Sequence, residues 1–268
     1  MRHFITAAAA WDQLPHAPQL YGPFHLVCLL IAAPAAVFAA WRLRHCSARQ
    51  GRRLLRAVWL FLVLGEIYKQ LYLLAASGGQ FSYWYLPFQL CSMPLYLCPA
   101  ALQRRWPRLR QAACAFLCGY SALGGLLTLL FPEDLLRRSL TLTLHGFAWH
   151  LALLFLGCWL GFSGYGQSES LRKSCGGASA LFLVCAGAAL CLNLALWEPS
   201  GHTINLFYLG PMPNTQPVFS LLARAWGWLG CLPVYLLCVW GGGLLFLTLF
   251  ARLRKKTTFR PAAAQTGS

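Results

Sequence analysis

Short bursts of arginine and lysine alternate along this chain with apolar stretches long enough to cross a lipid bilayer, and no other feature limits its fold so tightly. A hydrocarbon core about 30 Å thick needs roughly 20 apolar residues of helix. Seven segments reach that length, at approximately 24–41, 57–76, 83–102, 112–131, 139–161, 177–197 and 225–250. The first is the shortest and carries Pro34, which a transmembrane helix tolerates as a kink where neighbours satisfy the freed carbonyl.

The basic residues test the count independently, because their excess should fall on alternate loops. Clusters follow the first span (Arg42 to Arg56), the third (Arg104 to Arg110), the fifth (Arg172 and Lys173) and the seventh (Arg252 to Arg260), and together hold 17 of the 22 lysines and arginines. The other side holds only Arg2, Arg137, Arg138 and Arg224, with Glu133 and Asp134 offsetting the middle pair, and Lys69 alone lies within a span. The expected fold is all-α: a polytopic membrane helical bundle of about seven transmembrane helices, N-terminus outside and C-terminus cytoplasmic. Residues 1–23 then form an extracytoplasmic segment, 24–250 the transmembrane domain, and 251–268 a basic, disordered cytoplasmic tail.

Composition closes off other classes. Only 10% of residues are charged, against about 25% in a soluble domain. A net charge of +16 would suit a nucleic-acid binder, but the basic residues form bursts rather than a continuous stripe, so no nucleic-acid partner is expected. Most of the 12 cysteines lie inside apolar runs, where cysteine behaves as a small hydrophobe. Their spacing matches no zinc motif, and neither a metal site, a disulfide framework nor a cofactor is expected.

Polar groups inside spans are expensive and point to function by default. In the second span Glu66, Lys69 and Gln70 share a helical face, so Glu66 and Lys69 can pair on one helix. The third span opens between Pro87 and Pro94, which loosen the helix around Gln89, Cys91 and Ser92. On a regular helix Cys91 would sit about 200° from Gln89, so one pocket could receive both only if the prolines distort the turn. His145 and His150 in the fifth span are about 140° out of phase, which argues against a two-histidine metal clamp and leaves each free to act as an acceptor or base. At 1.5 Å per residue, Gln89 and His145 lie roughly 9 Å below the outer surface, while His150 and Glu66 approach the midplane. Asn193 falls in the outer third of the sixth span, and the longest loop, Glu198 to Ala223, carries Asn205 on the same side. Its aromatic content suits a lid or partly re-entrant cover better than a disordered linker.

Four stretches carry a family resemblance: Tyr85-Leu86-Pro87-Phe88-Gln89-Leu90-Cys91-Ser92, the span from Gly119-Tyr120 to Pro132, Phe147-Ala148-Trp149-His150, and Ile204-Asn205-Leu206-Phe207-Tyr208-Leu209. Together they resemble the YwaF family of bacterial integral membrane proteins, related to transmembrane protein 164, an animal acyltransferase acting on ether phospholipids. The likeness covers about residues 55–250. It implies a multi-pass protein of the bacterial cytoplasmic membrane, with membrane phospholipids as partners and an outward-facing site that transfers an acyl group through a cysteine and a nearby histidine. His150 matches a family histidine, but the Cys-His that follows the proline in the animal relative is replaced here by Phe88-Gln89. Cys91 can take the thiol's place only if the turn re-aims it and His150 lies close enough to activate it.

His150 and Cys91 are therefore the candidate catalytic residues, with Gln89, His145, Asn193, Asn205, Glu66 and Lys69 as candidate substrate contacts. Two other readings stay open on the same residues. One is a proton- or solute-coupled transporter relaying through Glu66, Lys69 and His150; the other is a non-catalytic scaffold or sensor whose outer loop binds a partner.

Overall fold

The computed structural model describes residues 12–212, 214 and 216–258. It is a helical bundle, and six of its helices are long and apolar enough to cross a membrane. They are α1 (Pro23–His45), α2 (Ala48–Ala76), α4 (Pro107–Leu130), α5 (Leu140–Ser163), α6 (Leu171–Ala195) and α7 (Pro217–Thr258). Between α2 and α4 lies a shorter helix, α3 (Pro94–Leu102). The chain is a multi-pass membrane protein by these lengths and compositions.

Three of the long helices begin at a serine that satisfies a first-turn amide. Ser47 and Gln50 form a reciprocal capping box at the start of α2, and Ser139 and Ser170 cap α5 and α6 by accepting from Leu142 N and Lys173 N. Pro107 opens α4, where its missing N–H is no loss, and Gln103 bridges both backbone groups of Trp106 just before it. Gly164 ends α5 in the left-handed region at φ 67°.

Helices α4 and α5 form the buried centre, and α1, α2, α6 and α7 pack around them with large apolar side chains facing outward. Leu30, Leu64, Leu71, Val184, Leu229 and Leu245 are each more than 60% exposed, a pattern suited to lipid tails. Without a hydrophobic drive between helices in lipid, close backbone approach has to hold the centre together. Gly157 of α5 supplies it: a Cβ there would lie 2.4 Å from Ala122 N of α4.

Two expectations need correction. The third span is not a full helix: α3 has only nine residues, about 14 Å or half a bilayer, and residues 83–93 reach it as two short 3-10 turns joined by irregular backbone. The prolines explain this: Pro87 pushes Leu86 towards extended backbone (ψ 130°), and Pro94, with no N–H to donate, stands at the first position of α3, so continuous helix starts only there. The long loop is also shorter than expected, because helix resumes at Pro217 and turns a corner at Gly227 (φ 70°, ψ 178°) before the main rod of α7. That rod continues through Thr258, past the expected end of the span at 250. Residues 1–11 and 259–268, which carry the rest of the two expected terminal segments, lie outside the described residues.

The N-terminal segment is strapped across α2 and α5 by one carboxylate. Asp12 accepts from Tyr72 Oη at 2.6 Å, from the Ser139 hydroxyl, and from Thr141 N at 2.8 Å, while its own carbonyl accepts from Leu140 N at 3.0 Å. Burial pushes the Asp12 carboxyl up, but the bonds from Ser139, Tyr72 and Thr141 outweigh it and hold the group below its ordinary value. A depressed carboxylate stabilises the fold above its unfolded pKa, and the contribution is lost as pH falls through the folded value. Asp12→Asn should therefore lower the Tm in detergent by about 2–4 °C at pH 7, the shift produced by about 1 kcal/mol in a chain this long, with the difference shrinking as pH falls below the ordinary carboxylate value of about 4.

Candidate functional site

Irregular backbone at membrane depth survives only where protein or a cavity satisfies it. Side chains of the neighbouring helices do so for residues 85–95. Gln70 of α2 donates to Tyr85 O at 2.7 Å, Tyr96 Oη to Pro87 O at 2.6 Å, Trp149 Nε1 of α5 to Cys91 O at 3.1 Å, and Trp59 Nε1 of α2 to Leu95 O at 2.9 Å. The unwound turn is thus pinned in one geometry. It changes the phase relation that a regular helix would impose, and Gln89 and Cys91 both line the chamber beside it.

This chamber has a volume of about 170 Å³. Its walls are α2 (Glu66, Lys69), the unwound segment (Tyr85, Gln89, Cys91, Ser92), Thr128 of α4, the α4–α5 connection (Asp134, Arg137) and α5 (His145, His150). Every helical lining residue comes from the half of its helix that faces away from the arginine-rich loops. The structure therefore brings Glu66, Lys69, Gln89, Cys91, His145 and His150 to one space and leaves Asn193 and Asn205 outside it.

Glu66 Oε1 pairs with Lys69 Nζ at 2.9 Å and accepts from Gln70 Nε2 at 2.7 Å, so the amide that pins Tyr85 also ties the ion pair to the unwound turn. Arg137 stands over the Tyr85 ring at 4.9 Å and donates to its hydroxyl at 2.6 Å and to Asp134 O at 3.0 Å. The sequence reading leaves Arg137 and Thr128 out of the site. For Arg137 a signal was present, since it is one of the few basic residues outside the four bursts; a lone threonine in a span offers none.

The two imidazoles play different parts. His150 Nδ1 lies 2.8 Å from Gly146 O, and because a carbonyl can only accept, Nδ1 carries the proton of the neutral ring. That leaves Nε2 as the acceptor, with no hydrogen-bond partner among the described residues, on the wall of the chamber. A neutral imidazole oriented in this way is suited to general-base work. His145 lies between two aromatic rings, tilted at 41° to Tyr68 (6.0 Å between centroids) and 40° to Trp149 (5.6 Å), and its Nε2 is buried beside Gly65 without a hydrogen bond. His25, by contrast, is a structural histidine: it accepts from Tyr21 N and donates to Leu129 O, tying α1 to α4.

The three amides serve a different end from the one expected. Asn193 brackets Leu206, donating to its carbonyl at 2.9 Å and accepting from its amide at 2.7 Å. Gln89 brackets the next step, donating to Asn205 O at 3.0 Å and accepting from Phe207 N at 2.7 Å. Asn205 Oδ1 accepts from Gly210 N at 2.8 Å. These bonds hold the strap, residues 196–212, against the unwound segment, and they do so around Phe207 and Tyr208, both at φ 55°. Two successive bulky residues in the left-handed region cost of order 1–3 kcal/mol each, a strain the amide bonds offset. Asn193 and Asn205 are positioning residues for the strap, fully buried and outside the chamber lining.

Two outcomes check this assignment. Glu66→Gln leaves the Lys69 charge without its partner and should destabilise the bundle by about 3 kcal/mol, with Lys69→Met in the same chain recovering most of the loss in a denaturation cycle. Gln89→Ala should free the strap, seen as faster proteolytic cleavage within 200–212 while the helices stay protected.

Searches of curated proteins and of solved structures each return no match. A family model does match, over residues 20–250, and that range contains the chamber, the unwound turn and the strap. The chain belongs to the TMEM164 family.

Proposed function

We propose that this protein is a membrane-embedded acyltransferase acting on phospholipids, with its site in the half of the bilayer away from the cytoplasm. The orientation follows from the basic loops, which belong on the cytoplasmic side and lie opposite the chamber. One observation carries the reading: Cys91, held by an unwound turn, and His150, whose Nε2 makes no hydrogen bond among the described residues, line the same chamber. Lys69 and Arg137, on different walls of the same chamber, add cationic groups suited to a phosphate headgroup.

The chemistry balances without a further reactant. His150 Nε2 takes the thiol proton as Cys91 Sγ attacks the ester carbonyl of a donor lipid. The carbonyl carbon to alkoxide oxygen bond breaks, the imidazolium returns its proton to the leaving lysolipid, and a thioester remains on Cys91. The hydroxyl of an acceptor lysolipid then gives its proton to His150 and attacks the thioester. The C–S bond breaks and the thiolate is reprotonated.

A coupled carrier built on Glu66, Lys69 and His150 is the competing use of the same groups, but the chamber's position in one half of the bundle favours a site over a passage. The test is reconstitution in liposomes with an isotopically labelled phospholipid donor and an unlabelled lysolipid acceptor. Transfer of label is expected, with the rate falling about 10²-fold or more in His150→Ala and in Cys91→Ser. Undiminished transfer in both variants would overturn the mechanism; absence of transfer together with pH-dependent solute uptake lost in Glu66→Gln would replace the reading with a carrier.

A further inference from the structure

A second chamber of about 220 Å³ lies beside the first, between α4, the strap and α7. Gln89, Cys91 and Thr128 line both, so the two spaces share a wall at the thiol. Their characters differ. Leu123 and Leu127 of α4 face Phe219 and Val239 of α7 across the second space, and it reaches Cys238, which is exposed on the outer face of the bundle.

Gly124 marks this space as one kept open. It sits within α4, where glycine is a poor helix residue, and a Cβ built on it meets no protein atom within 4 Å. Its neighbour Gly125 is different, because a Cβ there would come 2.6 Å from Leu154 N of α5, so helix packing demands that glycine. Protein packing makes no such demand at Gly124, and the room beside it belongs to the chamber.

A chamber lined by charged groups and an uncharged, mostly apolar one that meet at Cys91, the second open towards hydrocarbon, match a ligand with a polar ester end and a long unbranched tail. We infer that the second chamber is the channel for the substrate's fatty acyl chain, and that Gly124 sets the length of chain it admits. This rests on the acyl-transfer reading for the thiol and adds where the chain lies and what selects it. The carbonyl sits at Cys91, the headgroup in the chamber of Lys69 and Arg137, and the chain runs past Gly124 towards Cys238.

Two measurements separate this inference from the reading beneath it. With donors of 12 to 18 carbons in one mixture, Gly124→Phe should lower the 18-carbon to 12-carbon transfer ratio at least tenfold while total transfer of the shorter chain persists, and Gly124→Ala should leave the ratio near that of the unaltered protein. An unchanged ratio in Gly124→Phe, with transfer intact, overturns the channel and spares the acyltransferase. The second measurement needs no activity: a phosphatidylcholine with a photoactivatable diazirine near the end of one acyl chain is cross-linked to the unaltered protein in nanodiscs and the adducts mapped. Adducts concentrated on Leu123, Leu127, Phe219 and Val239, and lost at least fivefold in Gly124→Phe, support the channel even if no transfer is seen. Adducts spread evenly over the exposed faces of the helices overturn it.

Discussion

Backbone without helix at membrane depth is the constraint from which the rest of this structure follows. Residues 83–93 lie where a seventh full span would be, yet Pro87 and Pro94 deny them a continuous hydrogen-bond ladder. In hydrocarbon each orphaned carbonyl would cost several kcal/mol, so the neighbours must reach in. Gln70, Trp59 and Trp149 do so, and because these side chains stand on α2 and α5, the unwound turn fixes how those helices face one another. The polar chamber is the space left between them, and Gln70 links its ion pair to the turn directly.

The strap extends the same logic to the far end of the bundle. Leu206 exchanges two hydrogen bonds with Asn193 of α6, while Gln89 of the unwound turn donates to Asn205 O and accepts from Phe207 N. These bonds hold two aromatic residues in a strained conformation and set Tyr208 between Asp134, at 2.8 Å through its hydroxyl, and the apolar channel. Polar side chains that look like substrate contacts in isolation are thus occupied in building the walls. The ring nitrogens left without a hydrogen bond at the first chamber, His145 Nε2 and His150 Nε2, and the space beside Gly124 are where a ligand would find partners and room.

Much of this was legible in the sequence, and the boundary of legibility has a physical cause. Six spans could be read because their apolar length is local information, and the Glu66–Lys69 pair because i, i+3 spacing brings two residues together on any helix. Helical phase, which puts Gln89 and Cys91 about 200° apart, describes a regular helix, and this segment is not one. What phase lacks is the partner set that lets the turn depart from a helix, since Trp59, Gln70 and Trp149 meet residues 85–95 only in the folded bundle. Gln89 and Asn205 are 116 residues apart, and no spacing rule pairs them. An apolar window likewise cannot distinguish the half-helix α3 from a full span, because it counts composition and not backbone hydrogen bonds.

The central claim is that the unwound turn aims Cys91 at an acyl carbonyl, and it is tested most directly at the sulfur. Protein reconstituted with a phospholipid donor and no acceptor, quenched in acid and digested, is mapped by mass spectrometry for a hydroxylamine-sensitive acyl adduct. The account predicts that adduct on the peptide bearing Cys91, absent in Cys91→Ser and depleted in His150→Ala. An acyl group found only on another cysteine, or transfer to an added acceptor that persists in Cys91→Ser, would contradict it.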